Sequence, residues 1–258
     1  MAMIRWILDV GNTRAKWASF SARDGVGGNP LSEVLTTPAN DPSQATTWKD
    51  AVKAGEPIMV TGSGDLDPWI SAFPEAWVLR PGDPTPLVTE VREGQTLGLD
   101  RVANVLAVLH GALSEVDPQG SWMIVDAGTC VTVDVVTGGV HLGGTISPGM
   151  RMRLQAMSAG TARLPLPSLE KTTTNLNQPA AIGRRTDEAL LAGACGGLSA
   201  EISGKWDALR QEVPNLGVVL TGGDAPHLEL RDIRPKFADA HLTLKGYHAL
   251  YTHAHPHP

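Results

Sequence analysis

The sequence predicts an α/β protein made of two halves built alike. An apolar, strand-like run that ends in an Asp-centred glycine turn occurs twice. It reads Trp6-Ile7-Leu8-Asp9-Val10-Gly11-Asn12-Thr13 first and Trp122-Met123-Ile124-Val125-Asp126-Ala127-Gly128-Thr129 later. Each copy is followed by the same succession of hairpin partner, further strands and helix. The chain has 258 residues, 42% of them hydrophobic and 19% charged, which is globular composition and enough for two modest domains. The halves are expected at 1–117 and 118–252, with a cleft between them and a disordered tail at 253–258.

Residues 4–10 form a buried apolar strand, and 15–20 form its hairpin partner. The Gly-rich stretch 21–30 is a loop. A short strand is expected at 34–36, a short helix at 44–53 after Pro42, and a buried strand at 58–61 that stops at Gly62-Ser63-Gly64. Residues 81–86 are rich in turn formers. A helix follows over 99–113, with Val102, Leu106 and Leu109 at helical spacing.

In the second half, 122–125 is a strand and 129–136 alternates as another. Thr137-Gly138-Gly139 predicts a hairpin, and 140–146 returns. Pro148-Gly149 opens a helix to 158, with Pro at a tolerated first-turn position. Residues 164–179 are Pro/Thr-rich and read as a loop. A long helix spans 186–210, a buried strand 218–220 and a final helix 244–251. The His-rich end, 253–258, reads as a frayed tail before it reads as a metal site.

Charge and composition narrow the function classes. The formal charge is −6 and there is no dense Lys/Arg run, so no nucleic-acid partner is expected. No apolar run approaches the roughly 20 residues that span a bilayer, and no membrane partner is expected. Residues 1–5 enter a strand at once without a signal-peptide core, so a cytoplasmic protein is expected. Cys130 and Cys195 fit neither a metal spacing nor a disulfide framework.

The chemistry lies in the turns. Gly11 lets backbone approach a ligand closely, Asn12 and Thr13 add donors, and Arg14 and Lys16 add positive charge. Asp9 is placed to hold Mg²⁺ directly or through water, because that ion prefers oxygen ligands. Alone, the segment also reads as an ordinary type I′ hairpin. Asp126 and Thr129 offer a second carboxylate and a hydroxyl, again in a stretch that serves as a plain hairpin. Gly98-Leu99-Asp100-Arg101 opens a helix with a carboxylate beside a guanidinium. That pair suits proton removal from an alcohol and orientation of an anionic substrate. The same acid also suits the dipole of a first helical turn. Residues 143–149 join a strand to a helix N-terminus, an anion-friendly place. Thr221-Gly222-Gly223-Asp224-Ala225 ends a strand with exposed backbone on which a flat ring such as adenine can pack.

Taken together and in order, these pieces resemble the type III pantothenate kinase family, within the actin/hexokinase-like ATPase superfamily. They are DVGNT at 9–13, GLDR at 98–101, DAGT at 126–129, GGTISPG at 143–149, IGRRT at 182–186 and TGGDA at 221–225. The resemblance implies duplicated ribonuclease-H-like domains with mixed sheets flanked by helices. It implies ATP-dependent phosphorylation of pantothenate to 4′-phosphopantothenate, the first step of coenzyme A synthesis. By the same resemblance Asp9, Val10, Gly11, Asn12, Thr13, Arg14, Ala15 and Lys16 form the ATP phosphate loop, and Thr129 contacts ATP. Asp100 is the general base, and Gly98, Leu99, Asp100 and Arg101 line the pantothenate pocket. Asp126 is the ligand of a monovalent cation, potassium or ammonium. Thr186 reaches pantothenate across a homodimer interface, and Mg-ATP is the phosphoryl donor.

Two positions depart from the family pattern. Val91 stands where a Tyr usually packs on the substrate, and Arg185 stands where Asn commonly precedes the threonine. Two other readings share the pattern: a kinase for another small alcohol, separable by a substrate panel, and a non-catalytic regulator on the same fold. The intact Asp9, Asp100, Arg101 and Asp126 speak against the regulator, because an idle site has no need to keep carboxylates.

Overall fold

The computed structural model describes residues 4–21, 31–44, 55–92, 97–169, 176 and 180–255. Most of the predicted 21–30 loop and all but the first residue of the predicted 44–53 helix lie outside the described residues. So do 170–175 and 177–179 of the predicted 164–179 loop. By its contacts the chain divides into two units, Met1–Pro118 with Leu242–Pro258, and Gln119–His241.

The first unit is built on a five-stranded sheet of β1 (Ile4–Val10), β2 (Arg14–Ser21), β3 (Leu31–Pro38), β4 (Ile58–Gly62) and β5 (Trp77–Val78), in the order β3-β2-β1-β4-β5. The hairpins β1–β2 and β2–β3 are antiparallel, whereas β4 pairs parallel with β1, and β5 with β4. Parallel pairing needs a crossover connection. Helix α1 (Asp67–Ala72) lies on the link from β4 to β5, and α2 (Leu99–Leu109) follows β5. The central strand is apolar on both faces, and Ile7, Leu8 and Val10 are fully buried. Helix α2 stops four residues short of the predicted 113 because the chain tightens there. The Gly111 N–H turns back to the Val108 carbonyl at 3.1 Å.

The second unit repeats the plan. Its sheet contains β6 (Trp122–Ala127), β7 (Cys130–Thr137), β8 (Val140–Pro148), β9 (Gly217–Thr221) and β10 (Lys236–Ala238), in the order β10-β9-β6-β7-β8. Read from the other edge this is the order of the first sheet, and the parallel and antiparallel pairings match one for one. The β7–β8 hairpin is the one predicted: Gly138 and Gly139 both have positive φ, as a type I′ turn demands. Pro148 departs from its predicted place in a helix. It pairs with Cys130 as the last residue of the edge strand β8, where a missing N–H is tolerated, and α3 (Met150–Ala159) begins after Gly149. The predicted 186–210 helix is present in three segments. These are α4 (Thr186–Leu191), a π-helical stretch at Ala192–Gly196 made of small residues, and α5 (Gly197–Leu209).

The last helix, α6 (Leu242–Ala254), corrects the expected split at 117 and 252. Its Leu244, Tyr247, Leu250 and Tyr251 share a core with Ile7, Met59, Leu99, Val102 and Leu106, so it completes the first unit. The helix also takes in His253 and Ala254 of the expected tail, and His255 stacks on Tyr251 at 4.4 Å. Residues 256–258 lie outside the described residues. Helix α1 and the short strands β5 and β10 had no counterpart in the sequence reading.

The two cysteines sit in opposite environments. Cys130 is exposed, whereas Cys195 is buried in the core of the second unit. Burial, with the Asp224 carboxylate nearby, pushes the Cys195 thiol up to about 11. A thiol reagent at about pH 8 is therefore expected to modify one cysteine quickly and the other only after denaturation. Two equally fast thiols in the native protein would contradict this packing.

Candidate active site

Asp9 lies one residue before the end of the central strand β1. Its register partners are Lys16 on β2 and Thr61 on β4, and it is half-buried. The hairpin loop is closed by the Gly11 N–H donating to the Arg14 carbonyl at 2.9 Å. Neither Gly11 nor Asn12 has positive φ, so this is not the type I′ turn that Asn and Gly suggest. Asn12, Thr13 and Arg14 are exposed, Lys16 is half-buried and Ala15 is packed inside. The parallel strand β4 then folds over the loop. The Gly64 N–H donates to the Val10 carbonyl at 2.8 Å. Gly62 has φ +131°, and a Cβ there would lie 2.1 Å from the Val10 oxygen.

Asp126 occupies the same place in the second unit. It lies one residue before the end of β6, in register with Thr132 on β7 and Thr221 on β9. The Gly128 N–H donates to the Cys130 carbonyl at 3.0 Å, and the exposed Thr129 carbonyl accepts from Gly149 at 3.0 Å. Strand β9 folds back as β4 does. The Asp224 N–H donates to the Ala127 carbonyl at 2.9 Å. Gly222 has φ +93°, and a Cβ there would lie 2.2 Å from the Ala127 oxygen and 2.5 Å from Asp126 Oδ1. The two closures are one device used twice. Thr61-Gly62-Ser63-Gly64 and Thr221-Gly222-Gly223-Asp224 both follow a buried apolar strand, and both threonines are buried. That shared Thr-Gly step was the available sequence signal for Gly62 and Gly222 as partners of the two Asp turns. Burial pushes the Asp224 carboxyl up, against the opposing pull of His227 and Arg151.

Gly98-Leu99-Asp100-Arg101 sits where the sequence places it, at the start of α2. Gly98 is the N-cap, Leu99 is anchored in the core and Asp100 is half-buried. Asp100 Oδ1 accepts the Arg101 backbone N–H at 2.9 Å, which occupies one of the orphan donors of the first turn. Val91 is half-buried, and its N–H donates to Thr89 Oγ1 at 3.1 Å.

Thr186 belongs to neither hairpin. It is exposed at the first position of α4, and the preceding Arg185 is the extended N-cap. The Arg185 guanidinium pairs with Asp187 at 3.1 Å and holds that carboxyl below its usual range.

The structure thus brings residues 9–16 together with the 62–64 loop in one unit. It brings 126–129 together with 147–150 and 221–225 in the other. Among the described residues no three His, Cys, Asp or Glu side chains gather as a protein-only metal cage. None of the helices described is long and apolar enough to cross a membrane.

Two repeats of a strand ended by an Asp hairpin, each closed by a parallel neighbour, define a duplicated ribonuclease-H-like fold with mixed sheets flanked by helices. The fold is shared at a TM-score of 0.58 with a Campylobacter jejuni protein assigned to the Baf transcriptional activator family, 20% identical, covering 96% of this chain and 98% of that one. It is shared at 0.57 with a Sinorhizobium meliloti protein assigned as a 2-dehydro-3-deoxygalactonokinase, 14% identical, covering 98% of each. Residues 66–208 match the type III pantothenate kinase family. A Bacteroides fragilis type III pantothenate kinase is 34% identical over 93% of this chain and 94% of its own. The chain belongs to the type III pantothenate kinase family. Membership carries the family reaction, phosphorylation of pantothenate in coenzyme A synthesis.

Gly222→Ala is expected to destabilise the protein by about 2 kcal/mol or more, because a side chain there meets both the strand-end carbonyl and Asp126. Denaturant unfolding checks this. A change below about 0.5 kcal/mol would show that the closure is not tight.

Proposed function

We propose that this chain binds the phosphates of Mg-ATP on residues 9–16 and transfers the γ-phosphoryl group to pantothenate held by Gly98 to Arg101. The observation that carries the reading is the Asp100 carboxylate, half-buried on the first turn of α2 and already oriented by the Arg101 N–H at 2.9 Å. As general base, Asp100 takes the proton of the primary hydroxyl. The hydroxyl oxygen bonds to the γ-phosphorus, the bond from that phosphorus to the bridging oxygen breaks, and ADP leaves. Leu99 fixes the backbone of this turn in the core, Gly98 leaves room beside the carboxylate, and Arg101 meets the carboxylate or amide end of the substrate.

The remaining residues serve charge and position. The exposed Asn12, Thr13 and Arg14 and the half-buried Lys16 face the phosphates, and Val10, Gly11 and Ala15 shape the turn that carries them. Asp9 suits a divalent ion, since Mg²⁺ is held by one or two carboxylates together with waters and phosphate oxygens. Magnesium bound there offsets phosphate charge. Thr129 donates to ATP from the second hairpin. Asp126 suits potassium or ammonium, because Gly222 keeps free the space beside Oδ1 that a Cβ would fill. Thr186, exposed at the start of α4, reaches pantothenate bound by the partner in a homodimer. The enzyme works in the cytoplasm.

Asp100→Asn is expected to keep ATP binding and to lower turnover on the order of 10²-fold or more, the scale of a lost general base. Turnover within a few-fold of wild type would remove Asp100 from that role. Asp126→Ala is expected to abolish stimulation by potassium or ammonium in an ADP-release assay. A variant that responds to potassium like wild type would place the cation elsewhere.

A further inference from the structure

Helix α2 carries Asp100 at its second position, and the C-terminal helix α6 is pressed against it. The contact is backbone to backbone: a Cβ on Gly246 would lie 1.8 Å from the Ala103 oxygen and 2.7 Å from its Cα. This crossing point is three residues from Asp100. One helical turn beyond Asp100, Asn104 is 1% exposed, and its amide oxygen accepts the Thr243 hydroxyl at 2.9 Å. Past the other end of α2, Lys245 Nζ donates to the Ala112 carbonyl at 3.2 Å. Leu244, Tyr247 and Leu250 pack in one core with Leu99, Val102 and Leu106.

A buried Asn inside a helix needs a reason. Asn is a poor helix former, and its amide is costly to bury unless it is paired. A leucine at 104 would carry neither cost. What an apolar residue cannot do is fix how far one helix slides along another, the role single buried Asn residues play in coiled coils. Gly246 sets the distance between the helices, and the Asn104–Thr243 bond sets their register. The register of α2 sets where the Asp100 carboxylate stands.

We propose that Thr243, Asn104 and Gly246 are positioning residues, and that α6 is a buttress that aims Asp100 at the substrate hydroxyl. This rests on the reading of Asp100 as the base. An ångström of misplacement is enough to cost on the order of 10²-fold in rate, so a register bond one turn away matters to turnover before it matters to binding.

Steady-state kinetics and melting temperatures of four variants test the proposal. Thr243→Val removes the hydroxyl and keeps the shape, Thr243→Ser keeps the hydroxyl and loses the methyl, and Asp100→Asn is made alone and with Thr243→Val. Thr243→Val is expected to lower kcat on the order of tenfold, with both KM values within about twofold. Thr243→Ser is expected to return kcat to near wild type even though its lost methyl lowers the melting temperature. In the Asp100→Asn background, Thr243→Val is expected to change kcat no further. Melting temperatures lowered in both Thr243 variants with kcat untouched would overturn the buttress, and so would a full additional loss in the double variant. A slow Asp100→Asn beside a wild-type Thr243→Val rejects the buttress and leaves the base in place. A fast Asp100→Asn rejects both.

Discussion

The structure depends on how each central strand is ended. At Val10 and again at Ala127, the last carbonyl of the strand is taken by a backbone N–H from the loop that follows the parallel neighbour. Such a carbonyl, left unpaired inside a protein, is costly. Capping it from the adjacent strand brings a second loop against the hairpin turn and fixes both. The close approach excludes a side chain at Gly62 and Gly222, where the backbone has positive φ. Asp9 and Asp126 sit one residue before these closures, so each carboxylate is held by strand register on both sides. Such rigidity suits the proposed phosphate-binding role of residues 9–16, because preorganised donors and charges stabilise transferring phosphate without rearranging at the moment of reaction.

The acid proposed as the base is held by a different device. Asp100 sits on the first turn of a helix, and its Oδ1 accepts the neighbouring N–H. A helix is stiff along its axis, so whatever fixes α2 fixes the place of this carboxylate. The structure supplies this from the end of the chain, with α6 returning to the first unit and crossing α2 at Ala103 and Gly246. The two units therefore share a sheet plan, while the first owes its helical support to the last residues of the sequence.

Much of the fold was legible because it is locally encoded. The apolar runs ending at Val10 and Ala127, the Gly138-Gly139 hairpin and the α2 start at Gly98-Leu99 all carry period or turn chemistry within a few residues. The misses have physical causes. β5 has 2 residues and β10 has 3, too few to show a period. Proline suits both a first helical turn and an edge strand, so Pro148 is ambiguous locally and only the pairing with Cys130 decides. The return of α6 and the Asn104–Thr243 bond join residues 139 positions apart, which no local pattern can display. The Gly62 and Gly222 closures stood in the sequence as two Thr-Gly steps after apolar strands. Their meaning emerged only once each was seen folded over an Asp turn.

The account stands on transfer of a phosphoryl group from ATP to pantothenate by this chain. The most direct measurement is to incubate the purified protein with Mg-ATP labelled on the γ-phosphate and with pantothenate, in potassium buffer, and to identify the labelled product by mass. The account predicts label in 4′-phosphopantothenate and one ADP for each. Bound ATP with no pantothenate-dependent transfer of label would contradict it.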